Sequence, residues 1–265
     1  PARIPEQHSE TVYTTDRAID FIHEQGEQPW CLHLSYIKPH WPYIAPAPYH
    51  ALYGTAHVQA PIQPANPSDH PVYQAFRQHQ ESRNFARDEV RLTVIPTYMG
   101  LIKQVDDQLG RLFDFLQSNG RWDDTLIVFT SDHGDFLGDH FLGEKEFLLE
   151  PAVGVPLIVR DPRASADITR GSVDARLAET IDALPTFLDA LGLPAAEHRL
   201  EGRSLIPLLH GHDSPWRGYA IAEYDYAFQA PARERLAQPI DRCRMTMVRS
   251  DRWKYLAYDG FRPQL

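Results

Sequence analysis

The sequence predicts an α/β fold, a mainly parallel sheet flanked by helices, with a small antiparallel sheet at the C-terminal end. Three observations lead there. Helical and strand patterns alternate from residue 9 to about residue 195, the order that builds a parallel sheet covered on both faces. The strand-like runs Trp30 to Tyr36, Thr125 to Thr130 and Val155 to Arg160 are short and apolar, and each discharges into a polar loop, as buried strands do. Beyond residue 210 strand signals dominate, which suits hairpins and an antiparallel sheet.

Taken in order, Ser9 can cap a helix carrying Val12, Ile19 and Ile22, with Gly26 as its stop. Trp30 to Tyr36 then reads as a buried strand, with Cys31 a buried thiol inside it. The Pro-rich stretch Lys38-Pro39-His40-Trp41-Pro42 cannot extend a ladder and makes a stiff loop at the strand end. Residues 61–85 are polar and Pro-rich, with room for one short helix. Asp88 opens a long helix whose apolar stripe is Met99, Ile102, Val105, Leu109, Leu112 and Leu116, with Pro96 as a kink or as the true first turn. Asp182 starts another helix with Pro185 in its first turn and Gly192 at its end. Tyr219 to Glu223, Arg244 to Arg249 and Trp253 to Tyr258 read as strands, the last two joined by a turn at Ser250-Asp251-Arg252.

Composition narrows the function. Of 265 residues, 43% are hydrophobic and 23% charged, which excludes a disordered chain. A formal net charge of -10 argues against nucleic acid as the partner, because phosphate backbones select basic faces. A small anionic substrate stays open, since a bound cation reverses the local field. No run approaches the ~20 apolar residues of a membrane-spanning helix. Two cysteines, Cys31 and Cys243, make no disulfide framework and favour a reducing, cytoplasmic compartment.

Ligands of open α/β sheets gather beyond the carboxyl ends of strands. Thr125 to Thr130 runs into Ser131-Asp132-His133-Gly134-Asp135, where Asp132 and His133 offer a carboxylate oxygen and an imidazole nitrogen to one cation. A helix-capping Asp beside an ordinary His is the alternative, and Gly134 would let the backbone turn away. His40 projects from the stiff loop as a general acid or anion donor, unless it is a plain surface histidine. Lys145, in Gly143-Glu144-Lys145-Glu146, could neutralise charge on an oxyanion, or be a solvated lysine among acids. Gly138-Asp139-His140 reads as loop structure.

Together, LSYIKPHWPY, VDDQLGRLFDFLQSNGRWDDT, LIVFTSDHGDFLGDHFLGEK, VPLIVRDP, ETIDALPTFLDALGLP, EGRSLIPLL and RSDRWKYLAY resemble the sulfatase branch of the alkaline phosphatase superfamily. The stretches APAPYHALY, NGRWDDTLIVFTSDHG and DSPWRGYAIAEYDY are similar to bacterial phosphonate monoester hydrolases. Lys38 departs from that branch, which carries Arg before Pro-His, and agrees with sulfatases. The resemblance implies an alkaline-phosphatase-like catalytic domain whose later part is residues 1–210, and a C-terminal antiparallel subdomain over residues 211–265. It implies Asp132 and His133 as metal ligands, His40 and Lys145 as catalytic contacts to the leaving oxygen and substrate, and Lys38 as an anion contact.

It further implies a hydrolase of sulfate or phosphonate monoesters using one divalent ion, Ca²⁺ or Mn²⁺ rather than Zn²⁺, and a formylglycine nucleophile. That residue arises from a Cys/Ser-x-Pro/Ala-x-Arg motif, which neither cysteine occupies, so the formylglycine is expected outside this chain and the isolated fragment is expected to be inactive. Assembly as a homo-oligomer is compatible with the resemblance. The alternatives are a phosphodiesterase-type member of the same superfamily, or a non-catalytic sulfatase-fold binding protein. The first would use Ser or Thr with two metals, and the second would fail to bind a divalent cation.

Overall fold

The structure, a computed structural model, describes residues 2–3, 5–196 and 198–265. Its helices are α1 (Glu10–Gln25), α2 (Pro71–Arg77), α3 (Gln80–Phe85), α4 (Asp88–Ser118), α5 (Glu150–Val153), α6 (Ala183–Ala190), α7 (Ile206–Leu209) and α8 (Ala230–Leu236). Its strands are β1 (Ile127–Thr130), β2 (Leu157–Arg160), β3 (Ala220–Asp225), β4 (Arg244–Arg249), β5 (Lys254–Tyr258) and β6 (Phe261–Gln264). The chain forms two compact units, residues 1–62 with 84–123, and residues 63–83 with 124–265.

In the first unit α1 packs along α4. Ser9 caps α1 by accepting the Val12 amide at 3.4 Å, and Gly26 follows its last turn. Helix α4 begins at Asp88 and runs straight through Pro96, which lies in its interior and not in its first turn. Its buried stripe is Leu101, Gln104, Gln108, Leu112 and Leu116, while Ile102 is exposed. The stripe therefore lies about one residue from the apolar one. Two glutamines can be buried there because Gln104 donates to Ser9 Oγ at 3.0 Å and Gln108 to Glu6 Oε1 at 3.2 Å, which removes the penalty of an unpaired amide. Residues 30–36 are extended but carry no ladder, and Cys31 is exposed, against both expectations. Burial alternates along the run, so Trp30, Leu32, Leu34 and Tyr36 are part-buried between exposed neighbours, and the Tyr36 hydroxyl bonds Thr15 Oγ1 at 2.9 Å.

In the second unit β1 pairs with β2 antiparallel, Ile127 opposite Arg160 and Thr130 opposite Leu157. The expected parallel ladder is not formed among the described residues. The segment between β1 and β2 holds a 3-10 turn at Asp139–Phe141 and the one-turn helix α5 but no long crossover helix, and it returns the chain antiparallel. The C-terminal sheet has the order β3-β4-β5-β6, antiparallel throughout, and Ser250 N bonds Trp253 O at 2.8 Å to close the expected turn. Met245 and Met247 of β4 face inward with Leu256 and Tyr258 of β5, and meet Val72 and Phe76 of α2 and Phe136 and Phe147 of the β1–β2 connection. The buried thiol is Cys243, in this core. None of the described helices is long and apolar enough to cross a membrane.

Asp161, directly after β2, is buried and forks onto Arg163, with His210 Nε2 3.0 Å away. Burial pushes its pKa up, but the Arg163 guanidinium and amide and the His210 ring outweigh it and hold the carboxyl at about 2. Because the folded value lies below the unfolded one (~3.9), this stability is fully present above pH ~4 and is lost as pH falls through about 2. Asp161→Asn should therefore lower the urea-unfolding free energy by roughly 2 kcal/mol at pH 6, and the gap from wild type should narrow steadily toward pH 2.5. A gap independent of pH would refute that electrostatic origin.

Candidate metal and anion site

The β1 strand ends at Thr130, and the next three residues fold tightly on themselves. Ser131 Oγ donates to His133 O at 2.8 Å, and Asp132 Oδ1 accepts the His133 amide at 2.9 Å. His133 Nδ1 stands 2.8 Å from Gly134 O. A carbonyl can only accept, so Nδ1 carries a hydrogen, and in the neutral ring the lone pair is on Nε2. That nitrogen lies 3.3 Å from Asp132 Oδ2. A nitrogen lone pair and a carboxylate oxygen so placed converge on one side and can share a cation, while a hydrogen on Nε2 would bond the same oxygen directly. The donor set and the backbone-fixed tautomer fit a divalent ion. Asp132 is 82% exposed and His133 34%, so the pair is accessible to further ligands. No group of three or more His, Cys, Asp or Glu positioned for a metal occurs among the described residues, so this pair supplies part of a shell only.

Gly134 fixes where the pair stands. Its amide donates to Ala152 O at 2.8 Å, and a Cβ on it would lie 2.0 Å from Pro151 O. Its smallness serves this close approach of two backbones, and the positive φ that a sharp glycine turn would use is absent. Gly134→Ala must push the Asp132–His133 loop off α5, an overpacking penalty of about 1–3 kcal/mol. Both a lower thermal midpoint and weaker Mn²⁺ binding by calorimetry are expected. Unchanged metal affinity would show that this contact does not position the ligands.

Lys145 follows from the same scaffold. Phe136 N donates to Glu144 O at 2.7 Å, closing the loop 136–144 between the Asp132–His133 turn and Lys145. Inside the loop Leu137, His140, Phe141 and Glu144 all have positive φ, each at a penalty of about 1–3 kcal/mol. The loop is over-determined from outside. Tyr73 Oη donates to His140 O at 2.6 Å, Ser82 Oγ accepts the Gly143 amide at 3.2 Å, and the Arg77 guanidinium covers the Phe141 ring at 4.6 Å. His140 thus has its backbone tied into the loop frame, and burial lowers its ring pKa. Glu146 was not singled out by sequence. It is half-buried and accepts Gln229 Nε2 at 2.6 Å. Burial, then Glu144 and Glu81, push its carboxyl up to about 7 against Lys145 and Gln229. The apolar run Phe147-Leu148-Leu149 was the one available signal that this segment turns inward.

Lys38 and His40 lie in the first unit. The Lys38 ammonium donates to His40 O at 3.2 Å and Pro42 O at 3.1 Å, and pairs with Glu10 of α1 at 3.7 Å, with its side chain 12% exposed. It ties the Pro-rich loop together. His40 Nδ1 donates to Trp41 O at 2.8 Å, which fixes the ring beside the Trp41 indole.

The sulfatase family model matches residues 5–193. The chain belongs to the sulfatase family. A second family model, the C-terminal part of N-sulphoglucosamine sulphohydrolase, matches residues 138–260. Among curated sulfatase-family relatives, the multifunctional alkaline phosphatase superfamily protein PehA of Trinickia caryophylli is 34% identical over 99% of this chain and 54% of its own length. The phosphonate monoester hydrolase of Silicibacter pomeroyi superposes with a TM-score of 0.88 at 30% identity, over 99% of this chain and 54% of that one. The Agrobacterium radiobacter phosphonate monoester hydrolase gives 0.88 at 29%, over 98% and 54%. The fold is thus alkaline-phosphatase-like with a C-terminal antiparallel sheet, and the chain spans about half the length of these relatives.

Proposed function

We propose that the complete protein hydrolyses sulfate or phosphonate monoesters at a divalent metal, with Asp132 and His133 among its ligands. The convergence of Asp132 Oδ2 and His133 Nε2, with the tautomer set by Gly134 O, carries this reading. When bound, the metal supplies Lewis-acid polarisation of a non-bridging ester oxygen and charge stabilisation at the nucleophile. That nucleophile is a formylglycine on residues outside these 265, and Ca²⁺ or Mn²⁺ suits the oxygen-rich shell such a site needs better than Zn²⁺. We place residues 1–210 in the later part of the catalytic domain and 211–265 in its terminal subdomain.

The chain's own residues do the rest. Asp132 and His133 bind, and their local hydrogen bonds hold them in place before any ion arrives. Lys145 offsets negative charge on the transferring group from a loop too constrained to swing away. His40, held by its Nδ1 hydrogen bond to Trp41 O, serves as the proton donor toward the departing oxygen. Lys38 contributes positive field at the same loop, while its hydrogen bonds make it chiefly a brace.

The deciding measurement is kcat/KM of the complete protein for an aryl phosphonate monoester against an aryl sulfate with the same leaving group. Turnover of either supports a sulfatase-type hydrolase, and the ratio assigns the preferred transition state. Turnover of neither, with metal bound, would overturn the proposal.

A further inference from the structure

Two cations stand where the inward face of the C-terminal sheet runs out. Along β4 that face carries Met245, Met247 and then Arg249, and along β5 it carries Tyr258, Leu256 and then Lys254. Arg249 and Lys254 form the last rung of the hairpin and stand directly opposite each other. Like charges so paired repel, and the Lys254 side chain is only 16% exposed, so the rung needs an anion from elsewhere in the fold. Glu150 provides it. Its Oε1 lies 2.8 Å from Lys254 Nζ and 3.0 Å from Arg249 Nε. Lys254 Nζ also donates to Leu148 O at 3.3 Å, so one ammonium holds both the backbone that enters α5 and the first side chain of that helix.

Helix α5 is the surface on which the Asp132–His133 loop rests. Its four residues are too few to hold a helix by themselves, and no side chain caps it. Ala152 O accepts the Gly134 amide at 2.8 Å, and Pro151 O leaves no room for a Cβ at Gly134. Any shift of α5 therefore passes to Gly134, the residue after His133. Leu148 and Ala152, with the partly buried Leu149 and Val153, pack this segment against the core and fix its depth. Apolar contacts are non-directional and leave its sliding and rotation loosely set. The hydrogen-bonded clamp at Leu148 O and Glu150 is directional and sets them.

We propose that Lys254 is a positioning residue for the metal site. Held between Leu148 O and Glu150 Oε1, it fixes α5 where Ala152 O and Pro151 O seat Gly134, and so keeps Asp132 and His133 convergent on one ion. Arg249 strengthens the same hold from β4. The inference rests on the proposed ligand role of Asp132 and His133 and extends that site to the C-terminal hairpin.

The test measures Mn²⁺ binding to the complete protein by calorimetry, with thermal midpoints on the same samples. Lys254→Met keeps the stem, removes the ammonium, and should weaken Mn²⁺ binding about tenfold. Glu150→Gln keeps an oxygen acceptor without the charge and should weaken it by a smaller factor. Because the Glu150 side chain is 59% exposed, this variant gives a reading even if Lys254→Met fails to fold. Asp161→Asn is the control for general loosening. It lowers the stability of the same unit from the far end of the β1–β2 ladder, where Ile127 pairs with Arg160, and should leave Mn²⁺ affinity unchanged. The route is tested in the Gly134→Ala background. There the seat on α5 is already lost, so Lys254→Met should add less than about twofold to the affinity loss while still lowering the thermal midpoint. Equal losses in both backgrounds, or an equal loss in Asp161→Asn, overturn the inference and leave the metal site standing. Unchanged affinity in Lys254→Met and Glu150→Gln, while Asp132→Ala abolishes binding, does the same. Mn²⁺ affinity that Asp132→Ala does not alter overturns the reading beneath it and the inference together.

Discussion

Replacing Asp132 by alanine is expected to lower kcat/KM of the complete protein by about 10³-fold and to strip its bound divalent ion on dialysis. The reasoning begins with the local geometry. Oδ1 is committed to the His133 amide, and Oδ2 is the oxygen turned toward His133 Nε2. Alanine removes both, so the metal loses a charged ligand while the backbone bond that orders residue 133 also disappears. His133→Ala should fall by a similar factor, and the double variant should be little worse than either single one, because two ligands of one ion act as a unit. Metal content by plasma emission and kcat/KM on the same samples give the comparison. Additive losses in the double variant, or full metal content in Asp132→Ala, would show that the pair does not share an ion. Asp132→Asn separates charge from shape. It keeps an oxygen acceptor but not the negative charge, and excess Mn²⁺ should recover part of its activity.

Much of this site was legible because its chemistry is written in adjacent positions. Asp132 and His133 follow a strand-like run, and that alone places them at a strand end. What sequence could not supply was the tautomer, which depends on Gly134 O accepting from Nδ1, or the reason for Gly134, which is Pro151 pressed against it. Glu146 was invisible for a related reason. Among Glu144 and Lys145 it reads as a solvated acid, and only its half-burial and the hydrogen bond from Gln229 set it apart.

The same contrast runs through the fold. Strands β3, β4 and β5 alternate inward and outward residues, a local pattern that needs no knowledge of partners. Strand β6 was missed because it is four residues long and contains Pro263, which an edge position tolerates. The polar stretch 61–85, read with room for one short helix, holds two, α2 and α3, and Pro71 at the first turn of α2 with His70 capping it through Nδ1 marks its start. The run at 30–36 failed in the opposite direction. Its apolar residues say strand, but a ladder is a property of neighbours, and none pairs with it among the described residues.

Arg217→Met is expected to destabilise the second unit by about 3–5 kcal/mol, the largest stability effect of a single substitution argued for this chain. Asp182, at the base of α6, is fully buried. Its carboxylate accepts the Glu179 amide at 2.8 Å, the Arg203 amide at 2.7 Å, and both terminal nitrogens of Arg217 at 2.7 and 2.6 Å. Arg217 also pairs with Glu179 at 2.8 Å, and Glu179 Oε1 accepts the amide of Ile221, the second residue of β3. One cation therefore joins four chain segments: the turn before α6, the 201–205 segment, the approach to β3, and β3 itself. Methionine matches the length of the arginine stem but leaves the Asp182 carboxylate held by backbone amides alone, with no counter-charge. Arg217→Lys should recover little, since one ammonium cannot reproduce the two-point contact. Urea unfolding followed by far-ultraviolet circular dichroism measures each step. In the cycle with Asp182→Asn, the double variant should be less destabilised than the sum of the singles, because the uncompensated charge is gone. Strict additivity would mean that Arg217 acts through its stem against Trp216, where its guanidinium also lies 5.2 Å from the ring, and not through the buried pair.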